Sequence, residues 1–139
     1  MKVAIIGLGL FGRALAVQLS RSGAEVLVAD KNLELVSAMR DEVALAVCMD
    51  ATDEREFEAQ GLAKVDVLVA SIGNDFEANQ LVVMLAKQLG VPRIVARAPS
   101  ERHAKILRVL GADDVLLPEV QAGESLGRRL LSEQAKRPT

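Results

Sequence analysis

The sequence predicts an α/β fold, a doubly wound parallel six-stranded sheet in the order 3-2-1-4-5-6, on three observations. Six short apolar runs of Val, Ile, Leu and Ala alternate with six helical patterns. Glycines and prolines punctuate most of the joins, as at Gly23, Gly61, Gly90, Pro92 and Gly111. The first run enters three glycines at G-x-G-x-x-G spacing, and the second ends on an acid. Strands alternating with helices form right-handed crossovers, which leave few ways to wind the sheet.

The first strand is Val3 to Ile6, opening into Gly7, Gly9 and Gly12. Phe11, Leu15 and Leu19 then recur at helical spacing, and Gly23 falls where a left-handed residue would stop that helix. Strand two is Glu25 to Ala29, ending on Asp30, and Asn32 is placed to cap a helix carrying Leu35, Val36 and Met39. Ala44 to Met49 reads as strand three, with Asp50 at its carboxyl end. Thr52 or Asp53 caps a short polar helix closed by Gly61, and Val65 to Ala70 is strand four. A polar turn, Ser71 to Asp75, leads into a helix over 75–89 with Ala78, Leu81, Val82, Leu85 and Leu89 on one stripe. Val83 and Met84 lie off that stripe and are apolar too, so this helix is expected to cover more than its own sheet. Together with helix 100–110 it is the expected subunit contact. Strand five is Arg93 to Ala96 with Arg97 at its tip, and strand six is Asp114 to Leu117. Pro118-Glu119 begins a last helix with Leu126, Leu130 and Leu131 along one face.

In such sheets ligands bind outside the carboxyl ends of the strands, where the first and fourth strands diverge. The loops carrying Gly9, Asp30, Asp50, Gly73, Arg97 and Glu119 all follow strands, so they converge at one edge. The glycines then make a Rossmann-like nucleotide loop. Gly7 turns the chain, Gly9 lets bare backbone approach a pyrophosphate, and Gly12 lets the helix pack on the strand. With Leu10 and Phe11 between them, they present the N-terminal amides of a helix to phosphate. Arg13, in the first helical turn, is close enough to pair with phosphate, or is simply solvated. Asp30, 18 residues beyond Gly12, is spaced to hold the ribose hydroxyls. It would also repel a 2′-phosphate, which disfavours NADP relative to NAD, ATP or ADP, while Lys31 softens that exclusion. The alternative for Asp30 is a turn before Asn32. Asp50 is either an acceptor for the adenine amino group, with Ala51 leaving room for the ring, or the start of a turn. Gly73, flanked by Ile72 and Asn74, brings backbone near phosphate or ribose, or is a plain turn glycine. Arg97 and Glu119 face the crevice, where each can meet ligand, a neighbouring subunit or the other.

Composition narrows the functional classes. The 139 residues amount to one domain and leave no room for a second, substrate-binding one. Aromatics are 2% with no Trp or Tyr for base stacking, and a net charge of −2 with scattered Lys and Arg argues against nucleic-acid binding. Cys48 lies in an apolar run and is expected as a buried thiol, with no intrachain disulfide open to it. There is no signal peptide and no apolar run long enough for a bilayer, so any membrane role passes through a partner. His103, the one histidine, is expected on a packed helix face. No nucleophile–base pair, metal-ligand cluster or tyrosine acid–base group assembles around the crevice, so no catalytic residue and no metal ligand is assigned. The edge is equipped to bind rather than to react.

Over nearly its whole length the chain resembles the N-terminal nucleotide-binding half of RCK proteins, the TrkA and KtrA type regulators of potassium transport. The motifs are Ile5 to Gly12, Val28 to Asn32, Asp50 to Asp53, Ala70 to Asp75 with Asn79, Ala96 to Ala98, and Leu110 to Glu119. The last segment separates the family from ordinary dehydrogenases. The resemblance implies residues 1–118 as the Rossmann-like domain and 119–139 as a crossover helix and tail. It implies a cytoplasmic subunit, peripheral to the membrane through its partner, that pairs and assembles into a tetrameric or octameric ring. Such a subunit binds ATP/ADP or NAD/NADH and gates an integral membrane potassium transporter or channel. Carried over, Gly7, Gly9 and Gly12 hold phosphates, Asp30 ribose, Asp50 and Ala51 adenine, and Ile72 to Asn74 the far side of the ligand. Arg97 and Glu119 lie near terminal phosphates, the acid through a divalent cation in some members. Many members carry arginine where this chain has Leu10, and they continue into a smaller C-terminal domain. Met1 directly before strand one favours a separate subunit over a domain cut from a channel. The rival reading, an NAD-dependent oxidoreductase cofactor domain, needs a substrate site and a proton-transfer group, and the chain offers neither.

Overall fold

A computed structural model describes residues 1–137. Its elements run β1 (Lys2–Ile6), α1 (Leu10–Arg21), β2 (Glu25–Asp30), α2 (Leu33–Met39), β3 (Leu45–Cys48), α3 (Glu54–Ala59), β4 (Val67–Ala70), α4 (Phe76–Gln88), β5 (Arg93–Arg97), α5 (Glu101–Leu110), β6 (Asp114–Leu116) and α6 (Pro118–Lys136). The strands form one sheet in the order β3-β2-β1-β4-β5-β6, as expected. Every pairing is parallel, with Ile6 level with Ala29 on one side and Ala70 on the other. β1 and β4, adjacent in space, are thus the point where the winding reverses.

The period of two along each strand sorts the core into two layers. Val3 and Ile5 of β1, Val26 and Val28 of β2 and Val69 of β4 pack with Ala16 of α1 and Val36 and Met39 of α2. Ala4, Ile6, Ala29, Leu68 and Ile94 point the other way, into a larger layer closed by Phe57, Leu62, Val82 and Leu107. Burial on both faces explains why Val3 to Ile6 of β1 and Val26 to Ala29 of β2 are apolar at every position rather than at alternate ones. Four of the helices begin where short polar side chains accept backbone N–H groups: Asn32 from Glu34 and Leu35, Asp53 from Glu56, Asp75 from Ala78 and Ser100 from His103. Of the two candidates for the third helix, Asp53 is therefore the cap.

The structure corrects several expectations. β4 starts at Val67 because Asp66 is spent on β1: its amide donates to the Lys2 carbonyl and its carboxylate accepts from the Lys2 amide. β6 stops at Leu116, since Leu117 is the residue before Pro118 that opens α6. Val83 is fully buried, because α4 packs between the sheet and α5 and so buries a wide arc; Met84 alone of that pair reaches the surface. Cys48 is exposed, since β3 is an edge strand, and its thiol reaches only the Lys31 carbonyl. α6 buries none of its residues, and Val120, Leu126, Leu130 and Leu131 stand in the open.

Candidate functional site

The loops after β1, β2, β3 and β4 enclose a cavity of about 660 Å³ at the carboxyl edge of the sheet. Gly7 is its hinge. The residue has φ +104, and a Cβ there would lie 2.6 Å from the Ile72 amide, so conformation and space both require glycine. Gly12 faces Gly7 so closely that a Cβ would overlap the Gly7 carbonyl oxygen. A Cβ at Gly9 would meet nothing within 4 Å, because that position faces the cavity itself. Gly9 is also the N-cap of α1 and makes no side-chain cap, so the first amides of α1 keep their hydrogen-bonding capacity for a ligand.

Asp30 joins the second loop to the first. One carboxylate oxygen accepts the Leu8 amide at 2.7 Å and the other the Asn32 amide at 2.8 Å. The turn reading is therefore borne out, and the same side chain also braces the glycine loop. Each oxygen retains a lone pair for a ribose hydroxyl. Asp50 begins its own turn, accepting the Thr52 amide at 2.9 Å and the Thr52 hydroxyl at 2.6 Å. Those bonds, the hydroxyl foremost, with Lys31 Nζ at 3.7 Å, hold its carboxyl below the ordinary aspartate value. Lys31, Asp50 and Ala51 line the same end of the cavity.

Ile72, Gly73, Asn74 and Arg97 form the opposite wall. Beyond them lies a second cavity of about 360 Å³, which shares Ile72, Gly73 and Arg97 with the first and adds Phe76, Ala98, Pro99 and Glu119. Arg97 pairs with Glu119, one of the three alternatives left by the sequence. Its guanidinium donates to Glu119 at 2.9 Å and lies 5.8 Å from the Phe11 ring. Glu119, at the start of α6, is held low by its own backbone amide and then by Arg97.

Not every expected residue reaches the cavity. Leu10, 81% exposed, points to solvent from the first position of α1. Phe11 acts through Arg97, and Gly12 through its packing on Gly7. The Arg13 side chain turns back on the Gly9 carbonyl, at 3.4 Å, and does not line the cavity; helical side chains lean toward the N-terminus of their helix. His103 bonds Ser100 and meets Phe76 edge-on, 4.3 Å between centroids. Two bracing residues carry no functional assignment in the sequence reading. Ser71 donates to the carbonyls of Ile6 and Gly7, tying β4 to the glycine loop. Asn79, fully buried in α4, accepts the Ile72 amide at 2.9 Å and donates to the Arg97 carbonyl at 3.2 Å. The signal for Asn79 was a polar residue amid the apolar positions of a buried helix.

A glycine loop, a free helix N-terminus and a carboxylate at the second strand's tip, gathered where a parallel sheet changes direction, define a Rossmann-like nucleotide-binding domain. More narrowly, the chain belongs to the TrkA-N domain family, whose model matches residues 3–118. It is 35% identical over 130 residues to the Ktr system potassium uptake protein A of Bacillus subtilis, covering 94% of this chain and 59% of that protein. The chain thus spans about six-tenths of the curated relatives it matches. Among solved structures, it superposes on the TrkA-N domain of the inner membrane protein ybaL from Escherichia coli with a TM-score of 0.82. That pair is 23% identical, and the match covers 93% of this chain and 96% of the other. The Kef CTD of Shewanella denitrificans in its AMP-bound form gives a TM-score of 0.79 at 26% identity, covering 96% and 82%.

Proposed function

We propose that this chain is the nucleotide-sensing part of a regulator of potassium transport, binding ATP/ADP or NAD/NADH and passing the difference to an integral membrane transporter or channel. The observation that carries this reading is the convergence of the Gly7–Gly12 loop and the Asp30 carboxylate on one nucleotide-sized cavity, in a chain of the TrkA-N family. The names of its relatives, potassium uptake proteins of the Ktr and Trk systems, support the partner. A nucleotide moves a conformational equilibrium only by its difference in affinity between the two states, so ligands of different charge can favour different assemblies. The reading includes a cytoplasmic location, a homodimer assembling into a tetrameric or octameric ring, and α6 as the crossover element beyond residue 118. No helix among the described residues is long and apolar enough to cross a membrane. The subunit contact falls to the outward residues of α4 and α5, Leu81, Met84, Ile106 and Val109.

The site residues keep their sequence-based roles in this proposal: α1 amides and Gly9 on phosphate, Asp30 on ribose, Asp50 and Ala51 at adenine, Ile72 to Asn74 at the far side. Calorimetric titration of AMP, ADP, ATP, NAD and NADH into the chain and into Asp30→Ala tests it. Asp30→Ala should weaken every one of them by about tenfold or more, the worth of a charge-assisted hydrogen bond. Equal affinities in the two proteins would reject the ribose assignment.

A further inference from the structure

We infer that Ser71 and Asn79 are positioning residues of the crevice: together they fix the distance from the glycine loop to the far wall, and so how far a nucleotide extends beyond its first phosphate. The inference rests on the nucleotide reading above and adds two residues to it. Among the described residues these are the two buried polar side chains, 1% and 0% exposed, in a core that is otherwise apolar. Burying a hydroxyl or a carboxamide costs stability unless it is hydrogen-bonded, and a satisfied buried network specifies one arrangement of its surroundings. Every partner of these two side chains is a main-chain group at the carboxyl edge of the sheet.

Ser71 follows β4 and works toward β1. The last residues level with each other on those strands are Ile6 and Ala70. One step further on, the Ser71 hydroxyl donates to the Gly7 carbonyl at 2.9 Å, with the Ile6 carbonyl at 3.2 Å. Gly12 packs on that same Gly7 carbonyl, so one hydroxyl pins the turn that presents the α1 amides. Asn79 works toward β5. That ladder ends with Ala70 level with Ala96, and beyond it the Asn79 carboxamide takes over. Its Oδ1 accepts the Ile72 amide at 2.9 Å and its Nδ2 donates to the Arg97 carbonyl at 3.2 Å. A side-chain amide carries the donor and acceptor of a peptide unit, but it needs more room between two strands than a direct ladder bond does. The loop after β4 therefore stands off from the tip of β5. Gly73 and Arg97 flank this gap and line both cavities. A Cβ at Gly73 would lie 3.1 Å from the Arg97 guanidinium, so the spacing has little slack. One peptide bond joins Ser71 to Ile72, which makes the two side chains a single strut from Gly7 to Arg97.

Calorimetry on the full chain, with AMP, ATP and NAD as the probes, separates this role from a purely structural one. AMP ends at its one phosphate on the glycine loop, whereas ATP and NAD continue toward the far wall. Asn79→Ala should hold AMP affinity within about twofold and weaken ATP and NAD by about tenfold. Ser71→Ala frees the loop itself and should weaken all three alike, by about fivefold. Asn79→Asp keeps an acceptor for the Ile72 amide and, once protonated, a donor for the Arg97 carbonyl. Its ratio of ATP to AMP affinity, taken relative to wild type at each pH, should therefore recover as the pH falls through the pKa of that carboxyl. Equal losses for the three ligands in Asn79→Ala overturn the spacer, because a brace that only supports the fold does not tell them apart. Unchanged affinities in Ser71→Ala overturn the anchor at Gly7. Failure of the wild-type chain to bind AMP overturns the nucleotide reading itself, and the strut with it. If the variants do not fold, hydrogen exchange in the unliganded wild type decides. A preformed strut protects the Asn79 carboxamide and the Ile72 amide before any ligand is added, and exchange as fast as that of a solvated asparagine overturns it.

Discussion

The two ends of the crevice are built differently. At the β1–β2 end the Asp30 carboxylate is held by backbone amides 2.7 and 2.8 Å away, and the loop it holds is shaped by Gly7 and Gly12, which tolerate no side chain. At the β5–α6 end a charge is answered by another charge, Arg97 with Glu119, and the Glu119 side chain is 69% exposed. Backbone amides cannot rotate away, whereas an exposed ion pair contributes little to stability and exchanges partners readily. The first end is therefore fixed by main-chain geometry, and the second is free to rearrange. The Arg97 pair also connects the crevice to α6, a helix that buries nothing of its own.

Gly12→Ala is the most damaging single change to the fixed end. The added methyl overlaps the Gly7 carbonyl, which is backbone and cannot swing aside. A loss of about 3 kcal/mol or more is expected in denaturant unfolding, as for other overpacked core positions. Wild-type stability in this variant would mean that the loop yields, and the contrast between the two ends would lose its basis.

That contrast also explains what could be read from the sequence. Strand order, the glycine loop and Asp30 follow from local spacing and from the crossover rule, because each depends on backbone geometry within one βαβ unit. Arg97 and Glu119 stand 22 residues apart, and their pairing depends on two long side chains, so spacing left three partners open for each. The apolar run around Cys48 predicts a buried thiol, but it does not reveal that β3 lies at the sheet edge, where the thiol is exposed. Val83 was misjudged because a helix lodged between a sheet and another helix is apolar on two sides without any partner subunit. Replacing Val83 by Lys would therefore damage the core.

Asn79→Leu probes the join between the two ends. It keeps the volume but leaves the Ile72 amide and the Arg97 carbonyl without the partners Asn79 supplies. Loss of about 2 kcal/mol is expected from two buried groups of this kind. Since both lie on the wall shared by the two cavities, the ratio of NAD to AMP affinity should fall as well. A purely structural brace would leave that ratio unchanged, which separates the two roles.

Thr52→Val is the mildest change, and it asks whether an acid at the fixed end can be as loosely held as Glu119. Asp50 is about half exposed, and the Thr52 hydroxyl is the main cause of its lowered pKa. A carboxyl depressed in the folded state adds stability above its unfolded value of about 3.9, and that gain is lost as pH falls through the folded value. The Val variant keeps only the amide bond and the distant Lys31, so its Asp50 should titrate closer to the ordinary value in carboxyl-carbon NMR. At neutral pH it should be less stable by at most about 0.5 kcal/mol, and the difference should vanish below the wild-type pKa, where both carboxyls are protonated. An Asp50 that titrates identically in the two proteins would show that the backbone amide alone sets its pKa. The Asp50 end would then be governed by main-chain geometry throughout, which would make the division between the two ends sharper still.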